Sequence, residues 1–410
     1  MLDTYSLSGI SIMTLDGFLK KTSIKIDRKK IKDIGENADY NIEIKDNLYL
    51  YPAIINVHDH LRGNYLPKVG PKPGTFYLNW SYWDEDLHSA PVYYEREKNS
   101  IDDLYLLSAY KNLFSGIVTV NDHFPHKITD KYIPVLPIRV IKNYTLAHAV
   151  SSFALKWGDS IEEEHKRAIK KNYPFITHCE EGFDEETQSA VEKLEALNCF
   201  DKYDVLIHCL GFSDMDIKKT QKAGASIVWC PVSNMFMFNV TCKIKKILDA
   251  NINVCLGTDA THSGSANIIE EMHFARKLYN KMYKENLPAE TLYKMVTINP
   301  AKAFRMQNNI GSIEKGKIAD ILLIKPEEKD PYEAFVNLKM ENIELLTYEG
   351  NPIYGSAEYE DLFKKKEINY TKIKVKKKNK VIVGDPAGLL KKIRNTVGFK
   401  KTFDFIPIDD

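Results

Sequence analysis

Between residues 51 and 305, short and almost wholly apolar runs alternate with longer amphipathic ones, and this alternation restricts the possible folds more than any other feature. The apolar runs are LYPAIINVH, GIVTVND, VLPIRVI, YTLAHAV, PFITHC, DVLIHC, ASIVWC and NVCLG; stretches such as DSIEEEHKRAIKK and SDMDIKKTQKAG separate several of them. Strands without a polar face must be covered on both sides, as in a parallel sheet flanked by helices. Eight such runs over about 255 residues match the usual size of an eight-stranded α/β barrel. The third and fourth runs are the least well separated. Residues 1–50 have another texture: SIKI and IEI alternate polar with apolar residues between DG and IG turn signals, as half-exposed antiparallel strands do. That texture returns in IGSIEKGKIADILLI, LLTYEGNPIYGS and TKIKVKKKNKVIV. The expected organisation is a barrel over 51–305, a small β-domain made from 1–50 and 306–380, and a helix or tail over 381–410.

Composition excludes several classes. An apolar fraction of 44% and a charged fraction of 28% are those of an ordinary globular protein, not a disordered or fibrous one. No apolar run reaches the ~18 residues of a membrane span, and the opening MLDTYSLSGISIMTLDG lacks the basic start and apolar block of a secretion signal. The six cysteines never form a C-x-x-C pair, so neither a disulfide scaffold nor a zinc ribbon is expected. A cytoplasmic location is the expectation. The net charge is +1, yet residues 361–410 hold 14 Lys/Arg against 6 Asp/Glu. In KKKEINYTKIKVKKKNK the lysines alternate with Ile, Val and Tyr, which reads as a solvated strand face; a nucleic-acid surface would add base-stacking or groove-reading elements. The expected partner is a small-molecule substrate, with no nucleic acid and no membrane; self-association into a homo-oligomer is left open.

The chemistry sits at the ends of the apolar runs. His58 and His60 close NVHDH, and their two-residue spacing projects both imidazoles to one side of a strand. His178 ends PFITH, His208 ends DVLIH, and Asp259 ends NVCLGTD. A single buried histidine is commonly a hydrogen-bonded core residue. Four histidines and an aspartate, all at strand ends inside apolar runs, would be costly to bury without partners. A divalent cation offsets that cost: neutral imidazole and carboxylate suit zinc, iron or manganese alike. In a barrel the strands' C-terminal ends form the active-site face.

These motifs resemble the amidohydrolase superfamily. Within it they are similar to the branch of cytosine, guanine and S-adenosylhomocysteine deaminases and triazine hydrolases. The resemblance rests on PAIINVHDHL, GIVTVND, THCEE, LIHCLGFSDMDI, WCPVSN, LGTD with a following EEM, and NPAKAFRMQNNIGSIEKGKIADILLI. It implies an α/β fold: a distorted (β/α)8 TIM barrel with a composite β-sandwich from both chain ends. It also implies that His58, His60, His178 and Asp259 ligate one divalent metal ion, Zn2+ before Fe2+ or Mn2+. His208 would then contact the activated water or the substrate, and Glu181, in His-x-x-Glu, would shuttle protons. Hydrolytic deamination needs hydroxide to attack an sp² carbon and a proton for the departing amine. Zinc lowers the pKa of water from 15.7 to near 7, a change worth about 12 kcal/mol, whereas a positioned acid/base group contributes about 10²–10⁴-fold. Metal and carboxylate are both required. The catalytic set is Glu181, His208 and Asp259. Glu180 is the rival for the shuttle, or an acid favouring the following helix N-terminus.

The expected activity is a metal-dependent aminohydrolase releasing ammonia from an aminated heteroaromatic base, nucleoside or related compound. The alternatives are a hydrolase of the same superfamily acting on another C–N or C–Cl bond, and a catalytically idle binding relative. The chain departs from the pattern at LAHAVSS, where relatives carry Pro-His-x-Pro-Tyr and only His148 holds its place, and at Ala260, where glycine is common. Lys156 lies beyond the fourth strand, away from where dinuclear relatives place a carbamylated lysine. Residues 61–100 carry Tyr77, Trp80, Tyr82 and Trp83. They either sandwich a planar substrate or serve as a loop staple or dimer contact. Arg62, Trp83, His123, His148 and Asn234 are the candidate substrate contacts, with Ser233 beside Asn234. The cysteines on the apolar strands read as small core residues.

Overall fold

The computed structural model describes residues 2–408; Met1, Asp409 and Asp410, the outermost residues of the expected segments, lie outside them. The N-terminal strands are β1 (Thr4–Met13), β2 (Phe18–Asp27), β3 (Lys30–Ile34), β4 (Asn41–Glu43) and β5 (Tyr49–Pro52). Eight further strands follow: β6 (Ile54–Asp59), β7 (Ile117–Asp122), β8 (Arg139–Val140), β9 (Thr145–Ala149), β10 (Phe175–Cys179), β11 (Asp204–His208), β12 (Ser226–Trp229) and β13 (Asn253–Leu256). The chain closes with β14 (Ile321–Ile324), β15 (Ile343–Tyr348), β16 (Asn351–Ser356), β17 (Tyr370–Val375) and β18 (Lys378–Val383), then a helix over Pro386–Val397.

The two chain ends share one ten-stranded sheet in the order β17-β18-β16-β15-β14-β5-β1-β2-β3, with β4 beside β1. They meet where β14 runs antiparallel to β5, Leu322 opposite Tyr51. Alternation sets the faces: Tyr5, Leu7, Ile24 and Ile26 join Ile321, Leu323 and Leu345 in one buried cluster. Lys372 and Lys374 of β17 stay exposed beside buried Ile373 and Val375.

Each of the eight central runs contains one of the strands β6 to β13, and the ladders among these strands are all parallel: β6-β7-β8 in one sheet and β9 to β13 in another. The third run yields only the two-residue β8. Its Pro137 offers no N–H to a ladder, and the chain just before it turns as a 3₁₀ helix over Ile133–Val135. The two sheets touch at the functional end, where the Asp259 N–H donates to the His58 carbonyl (3.1 Å). Ile55 and Val57 of β6 share a buried cluster with Leu146, Ile176, Ile207, Val228 and Cys255 of the other sheet.

The connecting helices begin and end as their sequences dictate. Ser160 caps Ile161–Lys171 by accepting from the Glu163 N–H, three glutamates fill the first turn, and Asn172 closes it in the left-handed conformation, complementing the helix dipole. Ser213 and Asp216 form a capping box ahead of Asp214–Ala223, which Gly224 ends at φ 74°. All six cysteines are free and buried. Among the described residues no helix is long and apolar enough to cross a membrane.

Candidate metal centre

The strand ends bring the polar residues together. His58 lies in β6 with His60 just past its end, His178 in β10, His208 closes β11, and Asp259 follows β13. Three of the turns are tight: Glu180 (φ 50°), His208 (φ 71°) and Asp259 (φ 52°) all adopt the left-handed region. Such backbone costs ~1–3 kcal/mol per residue and persists where surrounding structure enforces it, often at functional sites.

The donor atoms are spaced as ligands around one ion. His58, His60 and His178 lie within 4.8 Å of one another, as do His58, His208 and Asp259, and His178, Glu181 and His208. Asp259 Oδ1 stands 3.4 Å from His60 Nε2 and 3.6 Å from His58 Nε2. Tetrahedral bonds of ~2.0–2.1 Å would place neighbouring donors ~3.3 Å apart. His58 decides the fit: it is wholly buried, and neither ring nitrogen has a hydrogen-bond partner. An orphaned buried polar atom costs ~1–3 kcal/mol, and a cation is the partner this donor set suits. The residues present therefore fit a divalent ion.

Neighbouring groups orient these donors. His178 Nδ1 pairs with the His148 carbonyl (2.6 Å) and His208 Nδ1 with Asn234 Oδ1 (2.9 Å), which turns both Nε2 atoms inward. Asp259 Oδ2 accepts from the hydroxyls of Ser233 and Ser263, each at 2.7 Å. Burial holds the imidazoles of His60 and His208 down at about 4, keeping them in the neutral, ligating form. Burial alone would raise the Asp259 carboxyl, but the imidazoles of His58, His60 and His208 hold it well below the usual range. Glu181 goes the other way: burial, and then the Asp259 charge, push its carboxyl well above the ordinary value. Its Oε1 lies 3.5 Å from His208 Nε2.

Between His58 and His60, Asp59 turns to the opposite side and meets Lys111 Nζ at 2.9 Å, with both side chains essentially unexposed. Asn64 and Asn112 also donate to its carboxylate, at 2.8 and 3.2 Å. Removing one partner of a buried pair leaves an uncompensated charge, at about 3–5 kcal/mol. Lys111→Met is therefore expected to lower unfolding stability by that amount in urea titrations; a change below about 1 kcal/mol would mean the pair does not anchor this strand end.

A cavity of about 230 Å³ opens onto the donors, bordered by His60, His178, Glu181, His208 and Asp259. Arg62, Trp83 and His148 also border it, although the Arg62 guanidinium is already paired with Glu97 (2.7 Å). His123 and Asn234 do not border it. His123 stacks behind His178, with ring centroids 4.4 Å apart, and Asn234 serves His208. Both brace clustered imidazoles from one layer behind the cavity wall. The 61–100 segment does two things. Trp80 and Trp83 line the cavity, while the Trp83 indole N–H donates to the Val69 carbonyl (2.9 Å) and fastens the loop. The Trp80 backbone N–H donates to the Glu181 carbonyl (3.2 Å). A Cβ on Gly182 would lie 2.5 Å from that of Asn79, so only glycine permits this close docking.

Sequence reasoning missed Trp157, His262 and Asp122, which also border the cavity. The His148 ring lies between Trp80 (4.3 Å) and Trp157 (4.4 Å). Asp122 is pushed up to about 7 by burial. Its signal was present in GIVTVND, an acid ending an apolar run. Glu180 faces Gly211, away from the cavity. Lys156 lines a separate surface depression with Lys142 and Arg167.

Comparison with known proteins identifies the family. The amidohydrolase family model matches residues 165–353. A 5-methylthioadenosine/S-adenosylhomocysteine deaminase of Pyrococcus abyssi is 35% identical over 366 residues, covering 77% of this chain and 84% of that one. The enzyme of the same name from Clostridium tetani is 26% identical over 363 residues, covering 78% and 84%. Among solved structures, a zinc-bound adenosine deaminase of Xanthomonas campestris superposes with a TM-score of 0.74 at 17% identity, over 95% of this chain and 97% of that one. With its His-x-His strand end, its buried carboxyl beside the donors and a relative this similar over most of its length, the chain belongs to the amidohydrolase family and is a hydrolase of carbon–nitrogen bonds.

Proposed function

We propose that the protein is a metal-dependent deaminase that removes ammonia from the adenine ring of an adenosine derivative, with 5′-methylthioadenosine and S-adenosylhomocysteine as the leading candidates. The observation that carries this reading is Glu181, a buried carboxyl on the cavity wall, 3.5 Å from His208 Nε2 and within 4.8 Å of a His178 ring nitrogen. His58, His60, His178 and Asp259 would hold one divalent ion, with zinc the first candidate. Such an ion supplies a Lewis acid that brings the pKa of water near 7. Glu181, whose carboxyl is held well above the ordinary range, is placed to give a proton to a ring nitrogen and, once it has taken one from the attacking water, to give a second to the departing amine. His208, held through Nδ1 by Asn234, presents Nε2 to the attacking water or the ring. Asp259 Oδ1, the oxygen facing the imidazoles, can take up a proton. Trp80, Trp83 and Trp157 on the cavity wall supply aromatic surface that suits a planar heterocycle and excludes water.

The two parallel sheets fit the two arcs of a distorted (β/α)8 barrel over 51–305. What supports this is the shared cluster of both sheets and the Asp259–His58 backbone contact. The mixed sheet over 1–50 and 306–380 would be the composite β-sandwich domain, with 381–410 as its tail. Six free cysteines suit a reducing cytoplasm. The reaction requires a small molecule and neither nucleic acid nor membrane.

Zinc-loaded protein incubated with 5′-methylthioadenosine, S-adenosylhomocysteine, adenosine, guanine and cytosine is expected to release ammonia from the adenosine derivatives. Silence across the panel, with turnover of cyclic amides instead, would overturn the assignment in favour of another C–N hydrolase.

A further inference from the structure

A second group of metal-type donors lies at the other end of the strand that carries His208. β11 begins at Asp204 and ends at His208, so the two residues are ~13 Å apart along an extended strand. Beside Asp204 stand Asp201, from the turn before the strand, and His165, from the helix Ile161–Lys171. One ligand atom from each of the three falls within 4.8 Å of the others. His165 Nε2 is 3.4 Å from Asp201 Oδ1 and 3.5 Å from Asp204 Oδ1.

We propose that His165, Asp201 and Asp204 form a structural binding site for a divalent first-row cation such as zinc, separate from the catalytic centre. The argument starts from two orphaned atoms. His165 and Asp204 have side chains only 3% and 0% exposed, and neither His165 Nε2 nor Asp204 Oδ1 has a hydrogen-bond partner. If a proton joined imidazole and carboxylate, the contact would close to the ~2.7–2.9 Å of a charge-assisted hydrogen bond. These atoms stand off instead, at the separation of neighbouring ligands with ~2.0–2.1 Å bonds.

Backbone N–H groups of the 201–204 turn orient the carboxylates. Asp204 Oδ2 accepts from the Asp201 N–H (2.7 Å), and Asp201 Oδ1 accepts from the Tyr203 N–H (2.8 Å). Burial pushes the Asp204 carboxyl well above its ordinary value, so this oxygen lacks the compensation that a cation would give. Asp201 is 39% exposed, which leaves a side from which the ion can enter and water can complete its shell. One imidazole and two carboxylates suit zinc, iron or manganese better than calcium, which prefers an all-oxygen shell. Bound there, the ion ties the helix Ile161–Lys171 to the start of β11, far from the substrate.

Elemental analysis of the full-length protein, loaded with zinc alone and dialysed, tests the site. Wild type is expected to hold two equivalents. His165→Gln and Asp201→Asn should each hold one, with ammonia release retained and a melting temperature that zinc raises less than in wild type. His58→Ala should also hold one, and His58→Ala combined with His165→Gln none. Asp201→Asn, at a partly exposed position, serves if His165→Gln fails to fold. A single equivalent in wild type that His58→Ala abolishes, or two equivalents retained in both Asp201→Asn and His165→Gln, would overturn the proposal. Because the count is read without substrate, its failure is distinct from failure of the deaminase assignment.

Discussion

His58→Ala is expected to abolish ammonia release and to cost the protein one equivalent of zinc, while leaving the metal-free fold close to its original stability. The last expectation is the unusual one. Truncating a buried side chain to alanine ordinarily destabilises by ~2–5 kcal/mol. In the metal-free protein, however, the His58 ring carries two buried nitrogens with no partner, each a liability of ~1–3 kcal/mol. The lost packing and the relieved polar burial oppose one another, so the two stability curves should lie close together without metal. They should separate when zinc is added, because a ligand bound only by the folded state adds stability by mass action. Turnover should fall by more than ~10⁴-fold, since activation of water by a metal is worth more than any single proton shuttle. Zinc content by elemental analysis, melting temperature with and without zinc, and ammonia release together decide the matter. Unchanged zinc content and turnover in the variant would remove His58 from the centre.

How much of this could be read from the sequence depended on whether a residue's surroundings are local. The central strands were legible because an apolar run with no alternation has few places to go other than a doubly covered sheet. The weakest one, β8, shrank to two residues at the run containing Pro137. His58, His60, His178, His208 and Asp259 were legible because each interrupts or ends an apolar run. The layer in which a residue sits was not legible. His123 and Asn234 also follow strand ends, yet they face the backs of the His178 and His208 rings and not the cavity, a distinction made by how strands and turns pack in three dimensions. Lys111 reads as one more helix lysine in IDDLYLLSAYKNLF but is 1% exposed, because Asp59 lies beneath it from a strand more than fifty residues earlier. Trp157 follows the fourth strand in LKWGD, where no periodicity marks a cavity wall; the loop brings it to His148. The lysines of the C-terminal segment were legible as alternation, with two exceptions: Lys366 and Lys380 are buried, and Lys380 donates to the Ile343 carbonyl (2.6 Å), a partner that appears only when β15 and β18 have been placed.

Glu181→Gln should leave zinc content unchanged and lower turnover by at least ~10²-fold, the ordinary contribution of a positioned acid/base group. Glutamine keeps the size of the side chain and its capacity to hydrogen-bond to His208, so binding and packing are little altered. What it cannot do is hold and deliver a proton. The wild-type carboxyl is suited to both, because burial and the neighbouring Asp259 charge keep it protonated above the ordinary carboxylate range, as an acid working near neutrality must be. Glu180→Gln is the matched control, one residue away with the same chemical change. Glu180 turns toward Gly211, where its Oε2 would lie 2.9 Å from a Cβ, and it does not border the cavity. Its variant is expected to keep turnover within a few-fold of wild type. The effect should fall on kcat more than on KM for Glu181→Gln, because the missing proton is needed only as the C–N bond changes. If Glu181→Gln is as active as wild type and Glu180→Gln is not, the proton path runs through the other carboxyl, and the left-handed turn at Glu180 must swing that side chain into the cavity during turnover.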